Sequence, residues 1–251
     1  MENTPPLTGV VVLAGALPVE LSGIRGKGAF VKAASGDIKY FKGGIHGVDV
    51  ALVVSGIGED RAYRAAKAVC EALSPKAYVS VGLSAALSPA LKPGDIVIGE
   101  STASLASGTR YDSDSQLLEK AREALGSCGI CSFGPVIASP KVVVKSTEKK
   151  ELASKYNAVA LDMETAGAAR AAMEAGVPFI AIRAISDTLD EDLPVDFNRF
   201  TRKDGGMCWP RFIAHVLTHP ATIGPLMRLG RQSNLAAGNL AWAVERVVGS
   251  L

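Results

Sequence analysis

The feature of this chain that most constrains its fold is the alternation of short apolar runs with longer segments of helical periodicity. Residues 10–14 and 178–186 are almost wholly apolar and have the length of a strand, whereas residues 59–73 place apolar side chains on one helical face. Strands that are apolar on both sides must be covered on both sides. The pattern therefore predicts an α/β fold in which helices cover both faces of a sheet.

The same periodicities predict the order of the elements. We predict strands at residues 10–14, 37–42, 48–55, 77–81, 95–99, 133–138, 158–161 and 178–186. We predict helices at residues 59–73, 115–125, 147–156 and 164–175, and two or three more from residue 206 onward. Gly43-Gly44 predicts a turn, residues 82–94 a loop, and Gly176 a helix C-cap. Without an internal repeat or a long linker, residues 1–251 are expected to form one domain.

Bulk properties exclude several classes of protein. Of the 251 residues 48% are hydrophobic and 21% are charged, which is typical of a soluble globular protein. The formal net charge of +2 does not indicate a nucleic-acid-binding protein, and no apolar run approaches the ~20 residues of a membrane span. The N-terminus lacks the basic start of a signal peptide. We therefore expect a cytoplasmic protein without a nucleic-acid partner.

The cysteines do not predict a metal or redox centre. Cys128 and Cys131 form a single C-x-x-C pair, with Cys70 and Cys208 distant in sequence. A zinc site would require a second pair or spaced histidines, and a thioredoxin-like site would place the pair at the start of a helix. Because Cys131 leads into a predicted strand, we expect ordinary buried or partly buried thiols, no metal and no cofactor.

Three loops of small residues each follow a predicted strand, at residues 15–20, 55–58 and 82–86. Ligands of open α/β sheets bind beyond the carboxyl ends of strands, so these loops are expected to border a site. Close packing of strand against helix is the alternative explanation for each. A dinucleotide-binding loop at residues 56–61 is excluded because Arg61 occupies the last glycine position and no acidic residue follows at the required distance.

Two carboxylates lie at the ends of predicted buried elements. Glu164 belongs to the A-L-D-M-E-T-A segment at residues 160–166, and Asp187 ends the R-A-I-S-D sequence at residues 183–187. A carboxylate is costly to bury unless it has a partner or a function there. The structural alternatives are a charge at a helix N-terminus for Glu164 and a turn or cap for Asp187.

These two segments resemble the paired signature of the nucleoside phosphorylase/nucleosidase superfamily, V-x-M-E-x-A followed by R-A-I-S-D. The small-residue loops occur in the family's order, and the resemblance covers residues 10–187. It implies a three-layer α/β/α sandwich with a mixed central sheet, usually assembled as a homo-oligomer. It also implies an enzyme that cleaves the N-glycosidic bond of a purine nucleoside, with adenine as the base.

The resemblance further implies roles for single residues. Glu164 would bind the ribose hydroxyls, and Asp187 would give a proton, or a strong hydrogen bond, to purine N7. Ile57 would face the 5′ substituent of the sugar. The other expected substrate contacts are Met163 beneath the sugar and base, Val142 and Val143 beside the base, and Ser84 and Ser186.

Cleavage of the N-glycosidic bond builds positive charge on the ribose and negative charge on the base, so a general acid at N7 is worth ~10²–10⁴ in rate. A carboxylate on the opposite face can deprotonate the attacking water. Glu20 resembles the water-activating glutamate of the family's adenine nucleosidases, and the structural alternative is that it is the first charge of a following helix.

Water and phosphate are the two candidate nucleophiles. The phosphorylases' G-D-P-x-R loop is absent here, and Glu20 would repel a phosphate dianion, so the sequence favours hydrolysis. Phosphorolysis stays as the alternative. Residues 83–86 read L-S-A-A where adenine nucleosidases have S-A-G-G, and a methyl group in place of a glycine hydrogen narrows the room for a small nucleophile or bends the backbone. A non-catalytic nucleoside-binding protein is a third alternative, against which the presence of both Glu164 and Asp187 argues.

The C-terminal segment, residues 196–251, diverges from the small nucleosidases. Residues 199–231 hold six basic residues and one acidic residue, a formal charge of +5, among Met207, Trp209, Phe212, Ile213, Val216 and Leu217. This pattern predicts an amphipathic basic helix that either contacts a membrane surface or packs on the core. The segment is similar to that of the hopanoid-associated members of the superfamily, which implies adenosylhopane as the substrate and peripheral contact with the inner membrane face.

Overall fold

The computed structural model describes residues 9–126, 128–200, 202 and 208–251. Its strands are β1 (Val11–Gly15), β2 (Phe30–Ser35), β3 (Ile38–Ile45), β4 (Val48–Val54), β5 (Ala77–Ala86), β6 (Ile96–Ser104), β7 (Arg110–Asp112), β8 (Cys131–Ala138), β9 (Ala160–Asp162) and β10 (Phe179–Asp187). Its helices are α1 (Pro18–Arg25), α2 (Glu59–Leu73), α3 (Ser115–Leu125), α4 (Ser146–Tyr156), α5 (Thr165–Glu174), α6 (Trp209–Thr218) and α7 (Ile223–Gly249), with short 3₁₀ helices at Phe197–Phe200 and Pro220–Thr222.

The strands of the described residues belong to one mixed sheet, in the order β2-β3-β4-β1-β5-β9-β8-β6-β10, with β7 paired to β6. Strand β10 pairs with β5 in parallel and with β6 in antiparallel orientation. The five strands that pair in the order β5, β9, β8, β6 and β10 therefore form a closed circuit. Four strands of the sheet, β1, β4, β5 and β10, run parallel to one another. Their carboxyl ends therefore lie along the same edge of the sheet.

Two apolar cores lie on opposite faces of this sheet. Val11 and Leu13 of β1 pack in the core beneath α1, α3 and α7, whereas Val12 and Ala14 pack in the core beneath α2 and α5. Successive strand residues point to opposite faces, which is why an uninterrupted apolar run can serve both cores. The expected α/β/α fold with a mixed central sheet is confirmed.

The most periodic elements have the predicted bounds or lie within one or two residues of them. Helices α2 and α3 begin and end as predicted. Gly176 follows α5 with a φ of +66°, the left-handed conformation that glycine adopts most readily. The predicted helix at residues 164–175 begins one residue later, because Glu164 is its N-cap.

The predicted turn at Gly43-Gly44 is wrong. Both glycines lie inside β3, and the chain reverses at His46 and Gly47, which have φ values of +49° and +82°. A β-carbon at Gly43 would collide with the ring of Phe30 in the neighbouring strand β2. This glycine allows two strands to approach closely and does not mark a turn.

The predicted loop at residues 82–86 is also wrong, because β5 continues to Ala86. Its second half pairs with β10 on one side and with β9 on the other, so tertiary pairing extends a strand through residues of low strand propensity. Strands β2 and β7 were not predicted. Their residues are largely exposed and lack an apolar run.

The C-terminal segment forms two helices of different character. Helix α7 packs in the core beside β10 through Ala236, Leu240 and Val244, whereas α6 has no buried residue. Met207 and the start of the predicted helices at residue 206 lie outside the described residues. In the part of the chain that is described, no helix combines the length and apolar character needed to cross a bilayer.

Candidate active site

A cavity of about 250 Å³ opens where β5, β9 and β10 end. Seven of the nine site residues predicted from the sequence line it: Ser84, Val142, Val143, Met163, Glu164, Ser186 and Asp187. The other two are elsewhere. Glu20 borders a second, smaller cavity, and Ile57 lies in the loop before α2 without lining either cavity. The structure thus brings most of the predicted residues to one site at the carboxyl ends of the strands.

Asp187 is the last residue of β10, which ends one residue later than the predicted end at Ser186, and its exposed fraction is 6%. Ser186 Oγ donates a hydrogen bond to Asp187 Oδ1 over 2.7 Å. On the other carboxylate oxygen, Lys149 Nζ lies 2.5 Å from Oδ2. Asp187 is therefore held from both sides at the cavity wall.

Lys149 is a residue that the sequence analysis did not single out. It lies in α4, a polar helix, and its side chain is fully buried. Besides Asp187, its ammonium group donates to the carbonyl oxygens of Thr188 and Glu191 over 2.8 and 2.9 Å. The sequence of α4 does not show that Lys149 is buried. The neighbouring lysines of the same helix are exposed, and only the fold distinguishes Lys149 from them.

Glu164 occupies the N-cap position of α5 without a side-chain capping hydrogen bond, and it lines both cavities. Its Oε1 accepts a hydrogen bond from the backbone N–H of Gly58 over 2.8 Å, which links it to the loop before α2. Burial raises the pKa of Glu164 to about 8, and the negative charge of Asp162 adds to this effect. Glu164 therefore gains a proton readily near neutral pH, unlike an exposed glutamate.

A buried ion pair fixes the two strands that carry these carboxylates. Arg183 Nε of β10 lies 2.6 Å from Asp162 Oδ2 of β9, and both side chains are almost fully buried. Arg183 Nη2 also donates to Ser80 and to Thr165, and Thr165 donates in turn to Asp162. A buried pair with this many hydrogen bonds costs several kcal/mol to break by removing one partner. The network holds Glu164, between Asp162 and Thr165, in place.

The smaller cavity has a volume of about 10 Å³, close to the least that accommodates one water molecule. Glu20, Glu164 and Arg183 border it together with Gly82. A β-carbon at Gly82 would lie 2.8 Å from Glu20 Oε1 and 3.5 Å from Arg183 Nη1, so both groups face the space beside this glycine. The hydroxyl of Tyr78, which also borders the cavity, has no hydrogen-bond partner among the described residues.

Glu20 lies at the start of a helix, as its structural explanation predicts. It lies in the first turn of α1, where Oε2 accepts from the N–H of Leu17 over 2.8 Å, as a capping residue does. Its Oε1 accepts from the N–H of Leu83 over 2.9 Å, which aims the carboxylate at β5. Burial raises the pKa of Glu20, while these two hydrogen bonds oppose that rise. Burial that favours the protonated form is what a general base requires, because the base must accept a proton.

One unsatisfied hydroxyl lies in the wall of the larger cavity. Ser84 Oγ is buried and has no hydrogen-bond partner in the described part of the chain. Buried polar groups of native proteins are almost always paired. Ser84 is therefore a natural contact for a polar group of a ligand.

The C-terminal segment contributes apolar side chains to the larger cavity. Phe197 and Leu229 of this segment line it together with Leu193. Phe197 stacks on Phe212 of α6, with ring centroids 6.1 Å apart and planes inclined by 21°. The exposed helix α6 is thus joined directly to the cavity wall.

Cys131 begins β8, in line with the predicted approach to a strand, and burial raises its pKa to about 12. A thiol of this kind is protonated at neutral pH and has no nucleophilic character. Within the described residues, no three histidine, cysteine, aspartate or glutamate side chains cluster as metal ligands would.

Comparison with known proteins gives a family match over most of the chain. The family model described as "Phosphorylase superfamily" matches residues 10–217. The chain is 25% identical over 183 residues to a 5′-methylthioadenosine/S-adenosylhomocysteine nucleosidase of Staphylococcus saprophyticus, covering 66% of this chain and 80% of that protein.

Two solved structures show the same fold. Futalosine hydrolase of Helicobacter pylori superposes with a TM-score of 0.76 at 18% identity, over 97% of this chain and 98% of that one. The 5′-methylthioadenosine/S-adenosylhomocysteine nucleosidase of Neisseria meningitidis, in complex with methylthio-immucillin-A, superposes with a TM-score of 0.76 at 24% identity, over 96% and 99%.

Proposed function

The chain belongs to the phosphorylase superfamily, and from that membership and the geometry of its cavities we propose that it hydrolyses the N-glycosidic bond of a purine nucleoside. The observation that carries the proposal is the arrangement of three carboxylates. Asp187 lies at the wall of the larger cavity, Glu20 at a cavity of one-water size, and Glu164 borders both. The names of the relatives, a nucleosidase and a futalosine hydrolase, agree with this chemistry.

In this proposal the nucleoside occupies the larger cavity. Glu164 accepts hydrogen bonds from the ribose hydroxyls, and the base lies between Met163 and the aliphatic pair Val142 and Val143. Ser84 and Ser186 contact the polar edges of the substrate, and Ile57 faces the 5′ end of the sugar after a rearrangement of its loop. Adenine is the base that we propose.

Catalysis then divides between the two ends of the site. Asp187 delivers a proton to N7 as the C1′–N9 bond breaks, which neutralises the departing base. Glu20 removes a proton from the water that attacks C1′ from the opposite face. The positive charge that develops on the ribose lies near Glu20 and Glu164, which stabilise it in their ionised forms.

We favour water over phosphate as the nucleophile for two physical reasons. The cavity beside Glu20 has about the least volume that accommodates one water molecule and is too small for a phosphate ion as it stands. Its charged walls are two carboxylates and one guanidinium, and Arg183 already donates hydrogen bonds to four protein groups, Asp162, Ser80, Thr165 and Ile182. Phosphorolysis is the alternative proposal, and a non-catalytic nucleoside-binding protein is a second.

The nature of the 5′ substituent is a finer proposal. The apolar wall of Leu193, Phe197 and Leu229 favours a nucleoside with a large apolar group on C5′. Adenosylhopane, an adenosine attached to a polycyclic lipid, is the substrate that the resemblance of the C-terminal segment suggests. Residues 1–251 would act as one domain, in a homo-oligomer.

Contact with a membrane surface belongs to the same proposal. Trp209, Ile213 and Leu217 project from one face of α6 and are between 53% and 75% exposed. Arg211 is exposed as well, two positions from both Trp209 and Ile213 and therefore on another side of the helix. Basic residues near an anionic surface contribute ~1 kcal/mol each, so α6 would give weak, salt-sensitive binding.

Liposome co-sedimentation tests the membrane contact. The parent protein should bind anionic liposomes at low salt, and a Trp209→Ala, Arg211→Glu double variant should not. Lys67→Glu, an exposed charge change on α2, serves as the control and should bind as the parent does. Equal binding by all three proteins, or no binding by the parent, would reject a membrane role for α6.

Product analysis tests the enzymatic proposal. The protein is incubated with adenosine, with 5′-methylthioadenosine and with an adenosine that carries a long alkyl group on C5′, in the presence and absence of phosphate. We expect release of adenine without phosphate, and little release by a Glu20→Ala variant. Binding without base release would favour the non-catalytic alternative, and release that requires phosphate would favour phosphorolysis.

A further inference from the structure

Lys149 is a buried charged residue to which the proposed reaction assigns no role. Within α4, which is described throughout, Lys149 alone is buried, whereas the adjacent Lys150 is exposed and pairs at the surface with Asp190. An ammonium group costs several kcal/mol to bury, even in a pair. A surface helix that turns one lysine inward toward the cavity carboxylate therefore needs an explanation.

The hydrogen bonds of Lys149 are complete. Its three N–H groups are used by Asp187 Oδ2 at 2.5 Å, Thr188 O at 2.8 Å and Glu191 O at 2.9 Å. The first acceptor belongs to the last residue of β10, and the other two lie on the segment that follows this strand. Lys149 therefore fixes both the orientation of the Asp187 carboxylate and the backbone that carries it.

The Lys149–Asp187 pair can also transfer a proton. Lys149 and Asp187 together hold one transferable proton: as ammonium and carboxylate, or as amine and carboxylic acid. The short Nζ–Oδ2 separation lets the proton pass without movement of the heavy atoms.

We propose that the acid that protonates the departing base is the Lys149–Asp187 pair and not Asp187 alone. This inference rests on the proposed hydrolysis. The proton moves from Nζ to the Asp187 carboxylate and from there to N7 as the C1′–N9 bond breaks, which leaves Lys149 as a neutral amine. The attacking water gives its proton to Glu20, and exchange with solvent after product release returns both groups to their starting states.

In this scheme Lys149 is a positioning residue, because it acts through Asp187. A purely structural lysine would differ in one respect. Arginine keeps the positive charge and the ion pair but is never deprotonated in proteins, so it can support the fold without supplying a proton. Methionine keeps the length of the side chain and removes both the charge and the proton.

The test compares two substrates that differ in their need for an acid. The adenine of a nucleoside needs a proton in order to leave. The 4-nitrophenolate of 4-nitrophenyl riboside leaves as a stable anion without one. Lys149→Met, Lys149→Arg and Asp187→Asn are measured on both substrates, with Lys150→Met as the matched control on the same helix. Thermal unfolding of each variant is recorded in parallel.

We expect Lys149→Met and Lys149→Arg to lower kcat on the adenine nucleoside by ~10²–10⁴, as loss of a general acid does. Activity on the aryl riboside should stay within a few-fold of the parent, which also shows that the variants are folded. Combining Lys149→Met with Asp187→Asn should add little further loss, because the two residues act as a unit.

Three results would overturn the inference: equal losses on both substrates, full activity of Lys149→Arg on the adenine nucleoside, or additive losses in the double variant. The Lys150→Met control should match the parent throughout. If the parent cleaves neither substrate, the proposed hydrolysis is wrong. If the parent cleaves both substrates and the Lys149 variants behave like the parent, the hydrolysis stands and the role of Lys149 is wrong.

Discussion

Replacing Glu164 by glutamine should make the protein more stable at alkaline pH. The pKa of this carboxyl group is raised from 4.5 to about 8, first by burial and second by the charge of Asp162. Glutamine has the same shape but cannot ionise. The variant therefore removes the cost of holding a charge in this position and keeps an amide oxygen for the N–H of Gly58.

The sign and size of the effect follow from linkage between protonation and folding. An acid whose pKa is higher in the folded state is protonated more in that state, so the free energy of unfolding falls as pH rises from about 4.5 to about 8. At about 1.4 kcal/mol for each tenfold change in proton affinity, the upper limit of this loss is roughly 5 kcal/mol. With a Tm change of about 2–4 °C per kcal/mol, even half of that limit is easily measured.

The assay is thermal unfolding of the parent and of Glu164→Gln between pH 5 and pH 9. The difference in Tm between variant and parent should shift in favour of the variant by several degrees across this interval, with most of the shift complete by pH 8. Glu151→Gln, which alters an exposed glutamate of α4, should leave the pH dependence unchanged. If the two curves of Glu164→Gln and parent run parallel, burial does not disfavour the charge of Glu164 and the reasoning fails.

Three further changes test separate parts of the site and fold. Asp187→Asn should lower cleavage of adenine nucleosides by ~10²–10⁴ because an amide cannot pass a proton to N7; rates within a few-fold of the parent would mean that Asp187 is not the acid. Gly82→Ala should abolish most hydrolysis with little loss of nucleoside affinity, because its β-carbon would lie 2.8 Å from Glu20 Oε1 and fill the one-water cavity; unchanged kcat would remove Glu20 and this cavity from the mechanism. Gly167→Ala should lower the free energy of unfolding by ~1–3 kcal/mol or more, because a β-carbon there would overlap the carbonyl oxygen of Glu59 where α5 crosses α2; Gly238→Ala on α7, with nothing near its β-carbon, is the control and should stabilise by ~0.5–1 kcal/mol.

The substrate contacts of Glu164 can be tested with the same variant. Its ionised carboxylate is proposed to accept hydrogen bonds from the ribose hydroxyls, and a charged acceptor is stronger than an amide oxygen. The comparison is made at pH 9, above the pKa of about 8. Glu164→Gln should therefore lose more activity on adenosine than on 2′-deoxyadenosine. Equal losses on both nucleosides would reject the assignment of Glu164 to the ribose.

The sequence predicts those parts of the fold that local periodicity controls. Helices α2 and α3 and the core strand β10 are long or strongly apolar, so their pattern is sufficient. The turn expected at Gly43-Gly44 fails because a glycine that permits close approach of β2 and β3 looks the same as a glycine that permits a turn. The loop expected at residues 82–86 fails because β9 and β10 pair with this segment only in three dimensions.

The residues of the candidate site likewise differ in whether the sequence alone predicts them. Glu164 and Asp187 are found from their positions at the ends of buried elements, and the structure places both at one cavity. Lys149 could not be found in this way, since α4 has other lysines and the sequence does not show which of them turns inward. Arg183 belongs to the recognised motif, but its bonds to Asp162 and Thr165 depend on strand pairing that the sequence does not specify.

The measurement that tests the central claim most directly is the fate of labelled water. Cleavage of an adenine nucleoside is run in H₂¹⁸O with phosphate present, the sugar is reduced with borohydride at once to stop exchange at C1′, and unlabelled ribose added to the same solution controls for that exchange. The proposed hydrolysis predicts free sugar that carries ¹⁸O at C1′ well above the exchange control, equally with and without phosphate. Ribose 1-phosphate as the main product, or adenine release that depends on phosphate, would contradict it.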